Sequence, residues 1–281
     1  MHCWQVWRKT LRLILRRSFH KVFPKETLEI IHSEHICTKV FLHGFSTRKG
    51  GCSLYPSVAS LNLAYACDKR DTLIVVEENH FRLLKAAGAS SHHSLQIAKA
   101  VHGNSVWVVG NPEPPGYDAI VCDQPGIVIA APAADCVTIL FADSKRSVCA
   151  ATHSGWKGTL GNVTRKTVEA MAGMGCKPKD IVAVIGPSIG VCCFEVGADV
   201  EDLFHDNLLL RQCIKVVKGK EKRRINLQNA VRLQLEEAGI LHGNIDDFPS
   251  TFCTFCNEDR FFSYRRDGRP FGTQVGFIAI R

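Results

Sequence analysis

The segment from Ala133 to Gly158 constrains the fold more than any other part of the sequence, because it contains two short apolar runs joined by a polar turn. The runs are Val137–Phe141 and Val148–Thr152, and Asp143–Arg146 lies between them. Short apolar runs that flank a polar turn are typical of buried β-strands. The segment therefore predicts a β-hairpin in the interior of the protein.

Three potential metal ligands lie at the ends of apolar runs. Cys136 precedes the first strand of the hairpin and His153 follows the second, so the hairpin would bring the two together at its open end. His102 lies just before another apolar run, Val106–Val109. Two imidazoles and one thiolate can bind zinc and leave its fourth position free for water or substrate, which is typical of a catalytic zinc site.

A simpler interpretation of these three residues stays open. The chain has 12 His and 13 Cys residues, so a His–Cys–His triple also arises by chance. A single His is most often a hydrogen-bonded or surface imidazole, and a single Cys is most often a small buried apolar residue.

Composition restricts the class of protein and its compartment. At 281 residues the chain can form one large domain or two small ones, and 46% hydrophobic with 22% charged residues is ordinary for a soluble globular protein. No apolar run reaches the roughly 18 to 20 residues that cross a bilayer. The 13 Cys residues are odd in number, form no regular framework and include the adjacent pair Cys192–Cys193. This pattern predicts reduced thiols and an intracellular, cytoplasmic location.

The net charge of +8 is concentrated at the N-terminus. Residues 1–25 contain seven Lys and Arg residues and no Asp or Glu, whereas the remainder of the chain carries a net charge of only +1. The near-neutral body argues against nucleic-acid binding. Residues 1–27 form a basic extension that fits either a weak contact with a membrane surface or an organelle-targeting presequence. The simpler alternative is a solvated extension.

The spacing of apolar residues beyond the hairpin predicts further strands and helices. Strands are predicted at Leu28–Phe41, Ile127–Ala131, Ile181–Ile185, Phe261–Tyr264 and Val275–Ile280. Helices are predicted at Val75–Ala87, Asn162–Gly173, Val200–Leu210 and Asn226–Ala238. Because these elements mix without a regular βαβ alternation, we expect a single α+β domain with mixed β-sheets flanked by helices, and not a doubly wound nucleotide-binding fold.

Six motifs go beyond local pattern because they occur in the order in which a known family has them. They are His43–Ser53, Val101–Gly103, Ala134–Val137, His153–Gly158, Gly186–Val196 and Phe261–Gly268. With them the chain resembles the laccase-domain family of multicopper polyphenol oxidases, of the YfiH type. The resemblance covers about residues 28–281, which we expect to form the enzyme domain.

The resemblance implies a YfiH-like α+β fold with zinc bound by His102, Cys136 and His153. It also implies phosphorolysis of adenosine, inosine, guanosine and methylthioadenosine with phosphate as co-substrate, together with deamination of adenosine. The laccase name implies copper, but the chain lacks the clustered His-x-His pairs of a multicopper site, so zinc is favoured. Thr273 stands where the family often has Arg, which removes an anion contact and leaves the substrate range open.

Three further side chains are candidates for catalysis. Asp135 is either a proton shuttle beside the metal or an outer-shell carboxylate. Arg48, in a glycine-rich segment, is the candidate for positioning phosphate, and Lys157 is a second cation for that task. Arg265 and Arg266 are alternative cations for binding phosphate. If their segment were a strand, at most one of the two side chains would reach the site. Cys253-x-x-Cys256 is weak evidence for a second metal, and idle thiols are the simpler interpretation.

Two other classes of function remain open from the sequence. One is a different enzyme at the same site, either a copper-dependent phenol oxidase or a hydrolase that uses Cys136 as nucleophile. The other is a non-catalytic protein in which zinc only stabilises the fold. The oligomeric state is not predicted.

Overall fold

The computed structural model describes residues 27–64, 71–90, 92–216 and 222–281. The basic extension of residues 1–27 therefore lies outside the described residues, apart from residue 27. The described residues contain fourteen β-strands, numbered in chain order: β1 Ile30–Ile31, β2 Phe41–Ser46, β3 Ser94–Ile97, β4 Val106–Val108, β5 Ala119–Cys122, β6 Ile127–Ala133, β7 Val137–Asp143, β8 Val148–Ser154, β9 Val182–Ile185, β10 Glu195–Val196, β11 Ile214–Lys215, β12 Arg223–Ile225, β13 Ile245–Asp246 and β14 Gln274–Ile280.

Helices in the same residues are of two kinds. The α-helices are Leu73–Ala86, Trp156–Leu160, Val163–Gly173, Ala198–Asp206, Leu227–Glu237 and Tyr264–Asp267. The short 3-10 helices are Pro178–Asp180, Arg211–Cys213, His242–Asn244 and Phe248–Thr251. None of the helices in the described part of the chain combines the length and the apolar character that crossing a membrane requires.

Two large mixed sheets form the centre of the domain. One has five strands in the order β1-β2-β14-β6-β3, and the other has six in the order β13-β9-β7-β8-β5-β4. Within these two sheets β3–β6, β4–β5 and β9–β13 are parallel pairs, and the other neighbours are antiparallel. The fold is therefore the predicted single α+β domain with mixed sheets flanked by helices.

The predicted hairpin lies in the middle of the six-stranded sheet and is buried on both faces. β7 and β8 pair along their whole length, from Val137 opposite Ser154 to Asp143 opposite Val148. Phe141 shares a core cluster with the helices Val163–Gly173 and Leu227–Glu237, whereas the neighbouring Leu140 packs against the five-stranded sheet. Because successive side chains of a strand point to opposite faces, a strand covered on both sides needs an unbroken apolar run.

The helix Leu73–Ala86 covers the other face of the five-stranded sheet. Its Leu83 is fully buried and packs in one cluster with Phe277 of β14. The described domain thus has four layers: a helix, the five-stranded sheet, the six-stranded sheet and a pair of helices. The predicted strands at residues 127–131, 181–185 and 275–280 and the predicted helices at 75–87, 162–173 and 226–238 are confirmed to within two residues at each end.

Three of the predicted elements are wrong in whole or in part. Of the strand expected at residues 28–41, only β1 and Phe41, the first residue of β2, are in strands. The chain turns at Cys37, whose carbonyl oxygen accepts hydrogen bonds from the N–H groups of Val40 and Phe41. The helix expected at 200–210 ends at Asp206, because the side chain of Asn207 accepts from the next N–H groups and starts a turn.

The strand expected at residues 261–264 does not form. Phe261 and Phe262 are both buried, and the N–H of Phe262 donates to the side chain of Gln274 instead of to the backbone carbonyl of a neighbouring strand. Ser263 then caps the helix Tyr264–Asp267 by accepting from the N–H of Arg266. Arg265 and Arg266 consequently lie on a helix, and the argument that strand alternation separates them does not apply.

Candidate metal centre

The hairpin brings Cys136 and His153 together at its open end, as the sequence predicts. Cys136 immediately precedes β7, and His153 pairs with Thr138 in the register of β7 and β8. His102 reaches the same place from the turn before β4, at the edge of this sheet. The ligand atoms of His102, Cys136 and His153 all lie within 4.8 Å of one another. The centroids of the two imidazole rings are 4.8 Å apart, and the rings are nearly perpendicular.

These distances fit a metal ion held by three side chains. A tetrahedral zinc ion with Zn–N near 2.0–2.1 Å and Zn–S near 2.3 Å keeps its ligand atoms roughly 3.5 Å apart. The three side chains come close to that spacing while they belong to three separate elements of the fold. The group is therefore compatible with a metal that has one position left for a non-protein ligand.

Asp118 is a functional residue that the sequence analysis missed. It is fully buried, and its carboxylate Oδ1 accepts a hydrogen bond from Nδ1 of His153 at 2.9 Å. The same carboxylate accepts from the backbone N–H groups of His102 at 2.9 Å and Gly103 at 2.8 Å. A carboxylate on Nδ1 fixes the tautomer of a histidine and directs its Nε2 outward as a ligand. Asp118 thus positions two of the three potential ligands at once.

The charges of this cluster favour a thiolate. Burial acts to raise the pKa of Cys136, but the neighbouring His153 and His102 lower it to about 6. Burial acts to lower the pKa of His153, but Cys136 and Asp118 raise it to about 10. Burial likewise opposes ionisation of Asp118, yet its hydrogen bonds from His153 and backbone N–H groups lower its pKa overall. A thiolate at neutral pH is the form that binds a metal ion.

The backbone around the ligands is tightly constrained. His102 and Asp135 have φ angles of 61° and 95°, in the left-handed region that residues other than glycine rarely adopt. Gly155 follows the hairpin, and a Cβ atom there would lie 3.0 Å from Sγ of Cys136 and 3.1 Å from Cδ2 of His102. Only glycine therefore leaves the ligand cluster undisturbed at this position.

Asp135 lies beside Cys136 and connects it to distant segments. Its Oδ1 accepts from the hydroxyl of Thr254 at 2.6 Å and its Oδ2 accepts from the N–H of Arg265 at 2.7 Å. Its backbone oxygen accepts from the N–H of Ile189 at 2.8 Å. Both oxygens of the Asp135 carboxylate thus already accept hydrogen bonds. This favours the interpretation of Asp135 as an outer-shell carboxylate over its interpretation as a proton shuttle.

The two predicted cations occupy different surroundings. Lys157 is exposed on the helix that starts just after Gly155, and its Nζ lies 5.4 Å from the centroid of the Trp156 ring. Arg48 is held by the backbone: Nε donates to Ala59, Nη1 to Glu258 and Nη2 to Pro56, at 2.8–3.0 Å. A guanidinium has five N–H groups, so three of those of Arg48 are occupied by these carbonyl oxygens.

Arg48 lines a cleft of about 850 Å³. A volume of this size is ordinary for a site that binds a small molecule. The potential metal ligands His102, Cys136 and His153 are not among the residues that line the cleft. Its charged lining residues are the cations Arg48, Lys49 and Arg266 and the carboxylates Glu258, Asp259 and Asp267.

Comparison with known proteins decides the family. Residues 42–281 match the family described as multi-copper polyphenol oxidoreductase laccase. The chain belongs to this family. Purine nucleoside phosphorylase LACC1 from Homo sapiens is 44% identical to this laccase-family chain over 245 residues, which are 86% of the chain and 56% of the human protein. The chain therefore spans little more than half the length of that relative.

Two prokaryotic relatives extend the comparison. Purine nucleoside phosphorylase YlmD from Geobacillus stearothermophilus is 32% identical over 254 residues, covering 85% of this chain and 89% of YlmD. Its crystal structure superimposes with a TM-score of 0.80 at 28% identity, over 92% of this chain and 99% of YlmD. Adenosine deaminase RL5 from an unknown prokaryotic organism is 39% identical over 156 residues, covering 54% of this chain and 58% of RL5.

Proposed function

We propose that this protein is a zinc-dependent purine nucleoside phosphorylase that also deaminates adenosine. Its substrates would be adenosine, inosine, guanosine and methylthioadenosine, with phosphate as co-substrate. The observation that carries the proposal is the convergence of His102, Cys136 and His153 on one point, backed by the buried carboxylate of Asp118. The names of the relatives, purine nucleoside phosphorylase and adenosine deaminase, supply the two reactions.

The donor set favours zinc over copper. His102 and His153 would bind through ring nitrogens and Cys136 through its thiolate, a combination that suits zinc. In the described part of the chain only two groups of three or more potential ligands come together, and neither contains more than two His residues. When bound, zinc supplies a Lewis acid and lowers the pKa of a coordinated water to roughly 7.

We propose that the cleft beside Arg48 holds the phosphate. After its three bonds to carbonyl oxygens, the Arg48 guanidinium keeps two N–H groups for an anion within the described structure. Lys49 lines the same cleft and adds positive charge, whereas the guanidinium of Arg266 is already paired with Asp267. Lys157 is the second candidate, because its exposed ammonium lies on the turn that follows the ligand His153 and has no ion-pair partner in the described residues.

The remaining residues of the site would act by positioning. Asp118 holds the imidazole of His153, and Asp135 holds the turn that carries Cys136. We infer an intracellular location from the odd number and the irregular spacing of the 13 Cys residues in the sequence.

One observation favours a second candidate function. A Cys136 thiolate with a pKa lowered to about 6 beside an imidazole also resembles the nucleophile of a cysteine hydrolase. The two candidates differ in their response to metal removal. A cysteine hydrolase would keep its activity after zinc is chelated, whereas the proposed phosphorylase would lose it.

The proposed function is tested with metal-quantified protein that is incubated with adenosine, with and without phosphate. We expect adenine and ribose-1-phosphate in the presence of phosphate, and inosine as a product that forms without it. Chromatography distinguishes the three products. Absence of phosphate-dependent release of adenine from zinc-loaded protein would contradict the phosphorylase assignment, and oxidation of a phenol by copper-loaded protein alone would support the oxidase alternative.

Replacing Asp118 by Asn should weaken zinc binding by about 10- to 100-fold, the usual cost of losing an outer-shell partner. The amide keeps the shape of the side chain but no longer accepts with a full negative charge from Nδ1 of His153. Competition with a chromophoric chelator measures the effect.

Asp143→Asn is the matched control for this variant. Asp143 is a buried acid at the far end of the same hairpin, where it accepts from the N–H groups of Lys145 and Arg146. We expect this variant to bind zinc as the wild type does. An equal loss of zinc affinity in both variants would mean that Asp118 acts only on the general stability of the hairpin.

A further inference from the structure

A second group of potential metal ligands lies outside the site described above. It consists of four cysteines, Cys192, Cys193, Cys253 and Cys256, here called the four-cysteine cluster. Their Sγ atoms all lie within 4.8 Å of one another. Sγ of Cys256 is 3.7 Å from Sγ of Cys192 and 3.3 Å from Sγ of Cys193. A tetrahedral zinc ion with Zn–S near 2.3 Å holds its sulfur ligands roughly 3.8 Å apart.

We propose that the four-cysteine cluster binds a structural zinc ion. Four thiolates complete a tetrahedron and leave no position for water or substrate, which distinguishes this site from the centre at His102, Cys136 and His153. Soft sulfur donors in a tetrahedral arrangement select zinc among the common divalent metals. The proposal does not depend on the proposed function, because it concerns different ligands.

The backbone at the four-cysteine cluster is shaped for sulfur ligands. The N–H of Gly190 donates to Sγ of Cys253 at 3.2 Å. A Cβ atom on Gly190 would lie 3.1 Å from Sγ of Cys192 and 3.2 Å from Cβ of Cys253, so this close approach requires glycine. The backbone at residue 190 thus approaches two of the four cysteines closely.

Four thiolates at contact distance repel one another unless a positive ion compensates their charge. A bound zinc ion would supply that charge and keep the four sulfur ligands deprotonated.

A zinc ion in the four-cysteine cluster would join two loops that also position the first site. Ser188 forms a parallel β-bridge with Cys253, and its carbonyl oxygen accepts from the N–H of Thr254 at 3.0 Å. The hydroxyl of Thr254 and the N–H of Ile189 both donate to Asp135, the residue beside Cys136. The structural zinc would therefore hold together the segments that fix the turn of Cys136.

The number of zinc ions per chain tests this inference directly. The protein with the whole sequence given, purified under reducing conditions and dialysed against trace zinc, should contain two zinc ions per chain by mass spectrometry of the metals. Exchange of both Cys253 and Cys256 for Ser should lower the count to one, and exchange of both His102 and His153 for Ala should also lower it to one. Cys37→Ser, at an exposed free thiol, is the matched control and should keep two.

X-ray absorption spectroscopy of the variant without His102 and His153 keeps the test decisive if the cysteine variant does not fold. The remaining zinc should have four sulfur neighbours at about 2.3 Å and no nitrogen neighbour. One zinc per wild-type chain, with the four thiols as reactive as Cys37 or joined in disulfides, would overturn the inference. Mixed nitrogen and sulfur neighbours in that variant would overturn it as well. If wild-type protein with only one zinc ion turns over nucleosides, the proposed function holds. The zinc site at the four-cysteine cluster is then contradicted.

Discussion

Replacing His153 by Ala should remove most of the metal from the centre at His102, Cys136 and His153 and abolish nucleoside turnover. The change deletes one of three protein ligands, and two ligands do not hold zinc against ordinary competition. It also leaves the carboxylate of Asp118 buried without its imidazole partner, which adds a cost in stability. Metal analysis and product chromatography on the same preparation measure both effects.

His242→Ala is the control for the loss of a histidine. His242 is exposed and contacts Glu236 on the surface, so this variant should keep its metal and its turnover. Because the four-cysteine cluster would retain its own zinc, the expected change for His153→Ala is a fall from two ions to one. A His153→Ala protein that keeps the wild-type number of zinc ions would rule out the ligand assignment.

Replacing Arg48 by Ala should depress phosphorolysis strongly and affect deamination less. Phosphorolysis needs an anion held against the ribose, whereas deamination needs only a seated purine and an activated water. Loss of a charge-assisted contact costs on the order of 2 to 4 kcal/mol, which is roughly 30- to 1000-fold in rate. The rates of both reactions, measured across a range of phosphate concentrations, show whether the loss is specific to phosphate.

The Lys variant at position 48 separates the charge of Arg48 from its contacts. Lysine restores the positive charge but neither the planar fork nor the three bonds to Ala59, Glu258 and Pro56, so we expect only partial rescue of phosphorolysis. Zinc content should stay unchanged in both variants. An equal loss of the two activities with the metal retained would mean that Arg48 only organises these loops, and the phosphate role would be abandoned.

The elements that the sequence predicts well are those with local signals. The hairpin of β7 and β8 can be predicted because two buried strands and their turn are contiguous in sequence. Its geometry alone brings Cys136 to His153. The helix Val163–Gly173 can be predicted from the spacing of its apolar residues and from Asn162 before it. The side chain of Asn162 accepts a hydrogen bond from the N–H of Arg165. These features depend on residues that are close in sequence.

What the sequence does not reveal depends on contacts between distant segments. Asp118 contacts His153 across 35 residues, and its one local signal is an acidic residue at the start of the apolar run Ala119–Cys122. The four-cysteine cluster joins Cys192 to Cys256 across 64 residues, so Cys253-x-x-Cys256 alone looks like a pair of idle thiols. A short pattern cannot predict such a pairing, because the sheet topology determines which loops meet.

The structure also changes the interpretation of one predicted catalytic residue. Asp135 is next to Cys136 in sequence, which makes it a candidate either for a proton shuttle or for an outer-shell carboxylate. Its carboxylate oxygens are engaged by Thr254 and Arg265, 119 and 130 residues away. The carboxylate that contacts a ligand imidazole is that of Asp118. The contacts of Asp135 therefore favour the outer-shell alternative, and Asp118 is a second carboxylate beside the same group.

Anomalous X-ray diffraction at the zinc and copper absorption edges is the most direct test of the central claim. We expect a peak at the zinc edge among His102, Cys136 and His153, with Zn–S near 2.3 Å, Zn–N near 2.0–2.1 Å and no fourth protein ligand. Crystals soaked with adenosine or phosphate should place the ligand at the open position of the metal or in the cleft beside Arg48. A peak at the copper edge only, or no metal among these three residues in active protein, would contradict the account.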